Sequence, residues 1–181
     1  MAGMTKAPYI LRPGRPEDVA AAVAIDDAAF ALYAEVGITI DFGADHPLVR
    51  AEEKAWRHAA QSGGLVFAEL ETDHARAGFF VLGEMDGTAH LEQIAVLPAY
   101  MRQGIGTVLM NEAIAMARAR GAAHLVLTTY DHVPWNGPYY ETLGFERVPT
   151  DQIGPATAAL HDLYRQHLPQ PDHRVVMRKL L

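Results

Sequence analysis

The chain contains no cysteine among its 181 residues. This absence excludes disulfide bonds, a thiolate nucleophile and cysteine-ligated zinc. Positive charge is also scarce, because 22 acidic residues outnumber 15 basic ones and the formal net charge is -7. Such a chain has no overall field that would attract nucleic acid or an anionic membrane. We therefore expect a small cationic partner, and neither nucleic acid nor a membrane.

Long apolar runs are missing as well. No stretch reaches the roughly 18 apolar residues of a membrane span, and the beginning "MAGMTKAPYI" lacks the apolar segment of a signal peptide. We expect a cytoplasmic protein with one core of ordinary size. The nine histidines include no HxH or HxxxH pair, so the sequence predicts no metal site.

Strand and helix patterns are mixed along the chain. Residues 1–7 are expected to be flexible, and residues 8–181 to form a single α/β (α+β) domain with helices on both faces of a sheet. The segment 34–50 has no clean period and is interpreted as a loop that covers a site. The patterns predict main strands over 64–70, 76–85, 88–97, 124–130 and 173–181, and helices from Pro16, over 47–61, from Ile105 to before Gly121, and over 155–167.

The stretch "RQGIGT" places two glycines where a strand gives way to a helix. Gly104 and Gly106 would let an anion approach the unpaired amides of that helix. A nucleoside triphosphate loop needs a lysine after its last glycine, and none is present. A dinucleotide loop needs a third glycine, and Leu109 stands in that place. The interpretation is a phosphate site of another kind, with a purely structural turn as the alternative.

Two segments, "IAVLPAYMRQGIGTVL" and "PYYETLGF", resemble the two signatures of the GNAT superfamily of N-acetyltransferases. The resemblance covers nearly the whole chain. It implies a single-domain GNAT fold, with a mixed sheet of about seven strands that splays between strands 4 and 5. It also implies acetyl-CoA as cosubstrate and an amine as acceptor. Met101 departs from the pattern, because the family usually has Gln or Arg there, and Arg102 is expected to supply the charge.

The resemblance also implies which residues contact acetyl-CoA. The backbone of the fourth strand would hold the thioester and the pantetheine, and the amide of Ile94 is the candidate oxyanion donor. Asn136 is expected either to contact the cofactor or to cap a helix. The expected cofactor-binding residues are Ile94, Ala95, Val96, Arg102, Gln103, Gly104, Ile105, Gly106, Thr107, Asn136 and Tyr139.

Acyl transfer to an amine needs a base for the amine and a proton for the departing thiolate. The resemblance implies that Tyr140 is the acid, while the alternative is a packed tyrosine. His90 and Glu92 lie two apart on one strand and share a face, so either is a candidate base. A carboxylate would also attract a cationic amine. The alternative for this pair is a solvated face or a structural hydrogen bond.

Acceptor binding is expected at the loop after the first helix and at the rim "YDHVPWN". The predicted substrate-binding residues are Tyr33, Glu35, Tyr130 and Trp135; Asp41, Asp45, Asp131 and His132 are further candidates. The predicted function is acetyl-CoA-dependent N-acetylation of a small primary amine by direct transfer. The alternatives are an acyl-CoA-binding module without turnover, acetylation of protein or peptide N-termini, and a phosphate-binding domain unrelated to acyl transfer. A homodimer is left open.

Overall fold

A computed structural model of the protein describes residues 9–181, and the expected flexible segment 1–7 lies outside them. Seven strands form one mixed sheet in the order β1-β2-β3-β4-β5-β7-β6. The strands are β1 (Tyr9–Pro13), β2 (Leu65–Leu70), β3 (Arg76–Met85), β4 (Thr88–Val96), β5 (His124–Tyr130), β6 (Glu146–Arg147) and β7 (Arg174–Leu180). The helices are α1 (Val19–Phe30), α2 (Pro47–Gln61), α3 (Ile105–Ala119), α4 (Gly137–Thr142) and α5 (Pro155–His167).

Helices cover both faces of the sheet, as the sequence predicted. Successive side chains of a strand point to opposite faces. In β3, Phe80 and Leu82 therefore pack on the side of α3, while Phe79 and Val81 pack on the side of α1 and α2. The two longest helices, α2 and α3, have 15 residues each. In the described part of the chain, no helix has both the length and the apolar character needed to cross a bilayer.

The fourth and fifth strands separate, as the resemblance implied. These strands run parallel, but their pairing is confined to Ala89 with Leu125 and His90 with Val126. β4 then continues to Val96 and β5 to Tyr130. The two strands leave a gap between them, so backbone groups of β4 beyond His90 face this gap and are not paired with β5.

A β-bulge lies in β4 just before this gap. Val81 of β3 pairs with Gln93, but the next residue, Leu82, pairs with Leu91, so Glu92 is an extra residue on β4. A bulge bends its strand and redirects the neighbouring side chains. Glu92 thus stands at the point where the sheet begins to open.

The segment expected to cover the site is packed against the domain. A 3₁₀ turn over Ala31–Val36 extends α1, and Gly37 ends it in the left-handed conformation with φ 74°. Ile38 is fully buried against Tyr130 and Val133. A buried anchor of this kind fixes the beginning of the loop, while α2 begins at Pro47 as predicted.

Candidate active site

The gap between β4 and β5 opens into a cavity of about 850 Å³. It extends from the beginning of α3, past α4, to the helices α1 and α2. Most of the residues predicted from the sequence line it; the exceptions are Glu35, His90 and Gln103, and, among the further acceptor candidates, Asp45, Asp131 and His132. Those that line it are Tyr33, Glu92, Ile94, Ala95, Val96, Arg102, Gly104, Ile105, Gly106, Thr107, Tyr130, Trp135, Asn136, Tyr139 and Tyr140.

The beginning of α3 presents free amides to the cavity. Gly104 has φ 82°, a left-handed conformation that suits glycine, and Arg102 has φ 60°. The first bond back to the loop is donated by Val108 to the Gly104 carbonyl at 3.2 Å. The amides of the three residues before Val108 have no helical acceptor. This arrangement fits a phosphate group, because the helix dipole adds positive character at the same place.

Gly106 indicates more specifically that the beginning of α3 leaves space for a ligand. A Cβ atom built there would meet only Val96 Cγ2, at an ordinary contact distance of 3.8 Å. The packing of the protein itself therefore does not require glycine at this position. Gly106 does line the cavity, where a side chain would occupy the space in front of the α3 amides. The space thus suits a ligand that lies close to the backbone.

The residues beside Gly104 and Gly106 differ in their contacts: some line the cavity, and one is bonded within its own loop. Arg102 and Met101 both line the cavity, and Arg102 is exposed, so a cation is available beside the free amides. Gln103 is turned elsewhere, because its side-chain amide donates to the Ala99 carbonyl at 3.4 Å. The expected compensation of Met101 by Arg102 is therefore compatible with the geometry, whereas the Gln103 side chain is occupied by its own loop.

Tyr140 of α4 lies at the wall of the cavity with only 7% of its surface exposed. Within residues 9–181 its hydroxyl has no hydrogen-bond partner. Burial raises the pKa of this hydroxyl, the neighbouring Tyr33 and Tyr139 raise it further, and Arg174 acts in the opposite direction. The hydroxyl is thus protonated at neutral pH and is available to donate into the cavity.

Glu92 and His90 are in contact, but only Glu92 reaches the cavity. His90 is 1% exposed, and its Nδ1 lies 3.3 Å from Glu92 Oε1. The geometry is not that of a hydrogen bond, and among the described residues neither ring nitrogen of His90 has such a partner. His90 and Glu92 share a face of β4, as predicted. On that face the Glu92 carboxylate lines the cavity, and the His90 imidazole lies behind it.

Ile94, the candidate oxyanion donor, has its amide occupied. The amide donates to Gln93 Oε1 at 2.9 Å. Gln93 also lines the cavity and lies beside Asp26. The Gln93 side chain must therefore rotate before the Ile94 amide can donate to a ligand.

Asn136 stands at the N-cap position of α4, but its side chain makes no capping bond. It donates instead to the Tyr33 hydroxyl at 2.6 Å. Trp135 packs edge-on against Tyr33, with ring centroids 5.6 Å apart, and the Tyr130 ring is tilted against Tyr33 with centroids 6.0 Å apart. Three of the predicted acceptor residues are therefore joined in one aromatic wall.

The other acceptor candidates lie apart from this wall. Asp41 lines the cavity, whereas Asp45 is paired with Arg50. Asp131 pairs with Arg147 at 3.0 Å and with His173 at 2.9 Å, and neither Asp131 nor His132 lines the cavity. Within the described residues, Asp131, His132 and His173 are close enough to form a possible metal-ligand set, which their sequence spacing did not indicate.

Sequence reasoning missed four polar residues that line the acceptor end. Asp26 comes from α1, Glu52 from α2, Tyr164 from α5 and Arg174 from β7. The Tyr164 hydroxyl donates to Glu52 Oε1 at 3.0 Å. The only sequence signal was the pair Asp26-Asp27, which interrupts the alanine-rich sequence of α1.

Two of these carboxyl groups have strongly raised pKa values. Burial, the charge of Glu52 and that of Asp27 raise the pKa of Asp26 to about 8, against a smaller opposing effect of Gln93. Burial, together with the charge of Glu92, raises the pKa of Glu52 to about 7, while Tyr164 and Arg174 lower it. The acceptor end of the cavity therefore holds acidic groups that ionise near neutral pH.

A splayed mixed sheet, with a glycine-opened helix beside the gap, defines the class of N-acetyltransferase folds. The family model described as "Acetyltransferase (GNAT) family" matches residues 25–145, which is more than half of the chain. The chain belongs to this family.

Known proteins agree with that assignment. The chain is 29% identical over 178 residues to the streptothricin acetyltransferase of Streptomyces lavendulae, covering 86% of this chain and 93% of the relative. Its fold is similar to that of the PaiA N-acetyltransferase of Thermoplasma acidophilum in complex with coenzyme A. That comparison has a TM-score of 0.68 and 17% identity, and covers 96% of this chain and 99% of the other.

A further solved structure with the same fold is the N-acetylglutamate synthase of Neisseria gonorrhoeae in complex with coenzyme A and N-acetyl-glutamate. The TM-score is 0.68 at 16% identity, and the match covers 98% of this chain but 36% of the synthase. At these identities the two structures support the fold only.

Proposed function

We propose that the protein transfers the acetyl group of acetyl-CoA directly to the primary amine of a small molecule. One observation carries the proposal: the free amides of α3, the Tyr140 hydroxyl and the Glu92 carboxylate all face one cavity. These are the three groups that acyl transfer from a thioester requires, namely an anion cradle, an acid and a base. Bound acetyl-CoA would supply the activated acetyl thioester.

The residues of the chain would divide the chemistry as follows. The amides of Ile105, Gly106 and Thr107, with Arg102, would hold the pyrophosphate. Glu92 would accept a proton from the amine, either directly or through water, and the amine nitrogen would form the new bond to the acetyl carbon. Tyr140 would donate its proton as the carbon–sulfur bond breaks, so that the products are an amide and free CoA. Because no cysteine is present, a thiol-linked acyl-enzyme is not part of the proposal.

The relatives support this proposal by similarity. The curated relative that matches along nearly its whole length is named for acetylation of streptothricin, and both of the solved structures described above contain coenzyme A. The proposal extends these properties to this chain because the beginning of α3, Glu92 and Tyr140 line one cavity here. We further propose that His90 acts through Glu92, since its ring lies behind the carboxylate.

The test is an assay of thiol release from acetyl-CoA over a panel of small primary amines and of short peptides with free N-termini. Calorimetry with CoA, ATP and NAD is run in parallel. We expect CoA to bind selectively and thiol to be released with small amines. Binding of CoA without thiol release would indicate a non-catalytic module, release with peptides alone would indicate N-terminal acetylation, and equal binding of ATP would overturn the cofactor assignment.

A further inference from the structure

Three side chains that can bind a metal ion lie together outside the cavity, where the β5–β7 ladder ends. Asp131 and His132 directly follow β5, and His173 directly precedes β7. Each side chain offers one ligand atom, and the three atoms all lie within 4.8 Å of one another. Among the described residues, no other three histidine, aspartate or glutamate side chains form such a set. We call these three residues the His-Asp cluster.

The backbone holds the two segments that carry the His-Asp cluster. Tyr130 pairs with Arg174 in the antiparallel ladder, and the Asp131 amide then donates to the His173 carbonyl at 2.9 Å. Asp131 and His173 are 42 positions apart in sequence, so only the folded chain brings the ligands together. A site whose ligands are already held by the fold binds a cation at a smaller entropic cost.

The distances within the cluster suit a tetrahedral cation. Oδ1 of Asp131 lies 2.9 Å from His173 Nδ1 and 3.5 Å from His132 Nδ1. Neighbouring ligand atoms of a tetrahedral zinc ion, each about 2.0–2.1 Å from the metal, are about 3.3 Å apart. The two imidazole rings lie beside each other, with centroids 4.2 Å apart and planes inclined by 47°. Small rotations of the side chains would therefore place all three atoms around one ion.

Arg147 orients the carboxylate of the cluster. Its Nη1 donates to Asp131 Oδ2 at 3.0 Å, which leaves Oδ1 directed at the two imidazoles. Carboxylates that bind metals are commonly held in this way by a hydrogen bond to their other oxygen. Arg147 also pairs with Glu141 at 3.4 Å, so its positive charge is shared between two carboxylates. The cluster thus contains both the ligand atoms and a contact that fixes the carboxylate.

From this geometry we infer that Asp131, His132 and His173 form a binding site for one divalent cation, with Zn²⁺ as the preferred ion. Zinc accepts imidazole nitrogen together with carboxylate oxygen, whereas Mg²⁺ and Ca²⁺ prefer ligand sets made of oxygen. Both histidines are exposed, which leaves room for water as the fourth ligand. The metal would replace the present hydrogen bond between His173 and Asp131, and both imidazoles would bind it in their neutral form.

The cation would be a structural tie and not part of the proposed acetyl transfer. Tyr130 and Arg174, the ladder pair beside the cluster, line the cavity, whereas the three ligands do not. A bound ion would join the end of β5 to the beginning of β7, and so stabilise the folded state in which the ligands meet. The inference therefore stands apart from the proposed function.

The first experiment is calorimetry with zinc chloride on protein without a histidine tag, after treatment with a chelator. We expect the wild type to bind one zinc ion per chain and to bind Mg²⁺ far more weakly. His132→Ala and His173→Ala are each expected to raise the zinc dissociation constant by about 100-fold or more, because loss of a group that only orients a ligand already costs about 10–100-fold. His58→Ala, at an exposed position of α2 outside the cluster, is the control and should keep the wild-type affinity.

The second experiment measures the geometry and the effect on stability. Cobalt substituted for zinc is expected to give the intense visible absorption of a four-coordinate Co²⁺ ion in the wild type and in His58→Ala, and not in His132→Ala or His173→Ala. Zinc at about 100 times its dissociation constant should raise the melting temperature of the wild type by about 5 °C or more, and EDTA should reverse the rise.

Both histidines are exposed, so their replacement by alanine should leave the fold intact, which circular dichroism checks. Absence of saturable zinc binding in the wild type, or wild-type zinc affinity in both histidine variants, overturns the inference. Equal affinity for Mg²⁺ and Zn²⁺ overturns the preferred ion. Zinc binding that leaves the melting temperature unchanged overturns the structural tie.

Discussion

Gly83 of β3 leaves the space that the Glu92 side chain occupies. A Cβ atom at Gly83 would lie 2.7 Å from Glu92 Oε1 and 3.3 Å from its Cγ. The nearest atoms belong to the flexible end of a side chain and not to backbone, so the carboxylate can move away without disturbing the sheet. The absence of a side chain on β3 therefore helps to fix the position of the candidate base on β4.

We accordingly expect Gly83→Ala to displace the carboxylate and lower kcat by about 10-fold or more, because proton transfer depends on position. CoA affinity is expected to remain at the wild-type value, since Gly83 does not line the cavity onto which the α3 amides open. Steady-state kinetics and calorimetry measure the two effects. Wild-type kcat in a variant that folds normally would argue against Glu92 as the base.

Gly106→Ala should separate cofactor binding from stability. The added methyl group has only an ordinary contact with Val96 inside the protein, and alanine is the better helix former by about 0.5–1 kcal/mol. The melting temperature should therefore stay the same or rise, while the dissociation constant for CoA rises about 10-fold as the methyl group enters the cradle. Asn111→Ala, on the exposed side of α3, serves as the control.

A loss of stability in Gly106→Ala with CoA affinity intact would show that the glycine serves the fold. The directions of the changes in melting temperature and in CoA affinity distinguish the two possible roles of Gly106, because a role in binding CoA and a role in the fold predict opposite results. Thermal unfolding and calorimetry on the same preparations provide both numbers.

Much of this architecture could be predicted because it is encoded locally. The apolar run of β3 between two turn segments, and the proline and glycine signals at α2 and α3, predicted element bounds that the structure matches closely. The splayed sheet and the glycine-opened helix followed from the GNAT resemblance. The element bounds depend on residues that are neighbours in sequence, whereas the splay between β4 and β5 was implied only by the resemblance.

The acceptor end could not be predicted in the same way. Asp26, Glu52 and Glu92 come from three separate elements, and nothing in their spacing shows that they share a cavity. The bulge at Glu92 depends on its pairing with β3, which sequence periodicity does not reveal. Tertiary packing brings such residues together, so the acceptor carboxylates were expected in the loop after α1 instead.

Tyr140→Phe tests the proposed acid. The substitution removes a hydroxyl that has no hydrogen-bond partner in the described residues and keeps the ring packed on Phe145, so stability should change little. We expect kcat to fall by about 100-fold or more, the lower range for a lost general acid, with CoA affinity within about 2-fold of wild type. Pre-steady-state thiol release measures the chemical step itself. Unchanged turnover would remove Tyr140 from the mechanism.

The raised pKa of Asp26 predicts how stability depends on pH. Because the pKa of Asp26 is about 8 in the folded state and its ordinary value is 3.8, the folded state holds more protons than the unfolded state between these pH values. The free energy of unfolding therefore falls as pH rises from about 4 to about 8. Glu52 contributes in the same direction between 4.5 and about 7. Thermal unfolding between pH 5 and pH 9 measures this decline.

Asp26→Asn removes the Asp26 contribution, because the amide does not ionise. We expect the melting temperature of this variant to decline less than that of the wild type between pH 5 and pH 9, and to exceed the wild-type value at pH 9 by several degrees, at about 2–4 °C per kcal/mol. Asp162→Asn, at an exposed position of α5 that does not line the cavity, is the control and should follow the wild-type profile. Parallel profiles for the wild type and Asp26→Asn would mean that Asp26 is already ionised at low pH, and that its carboxyl group is more hydrated than its burial indicates.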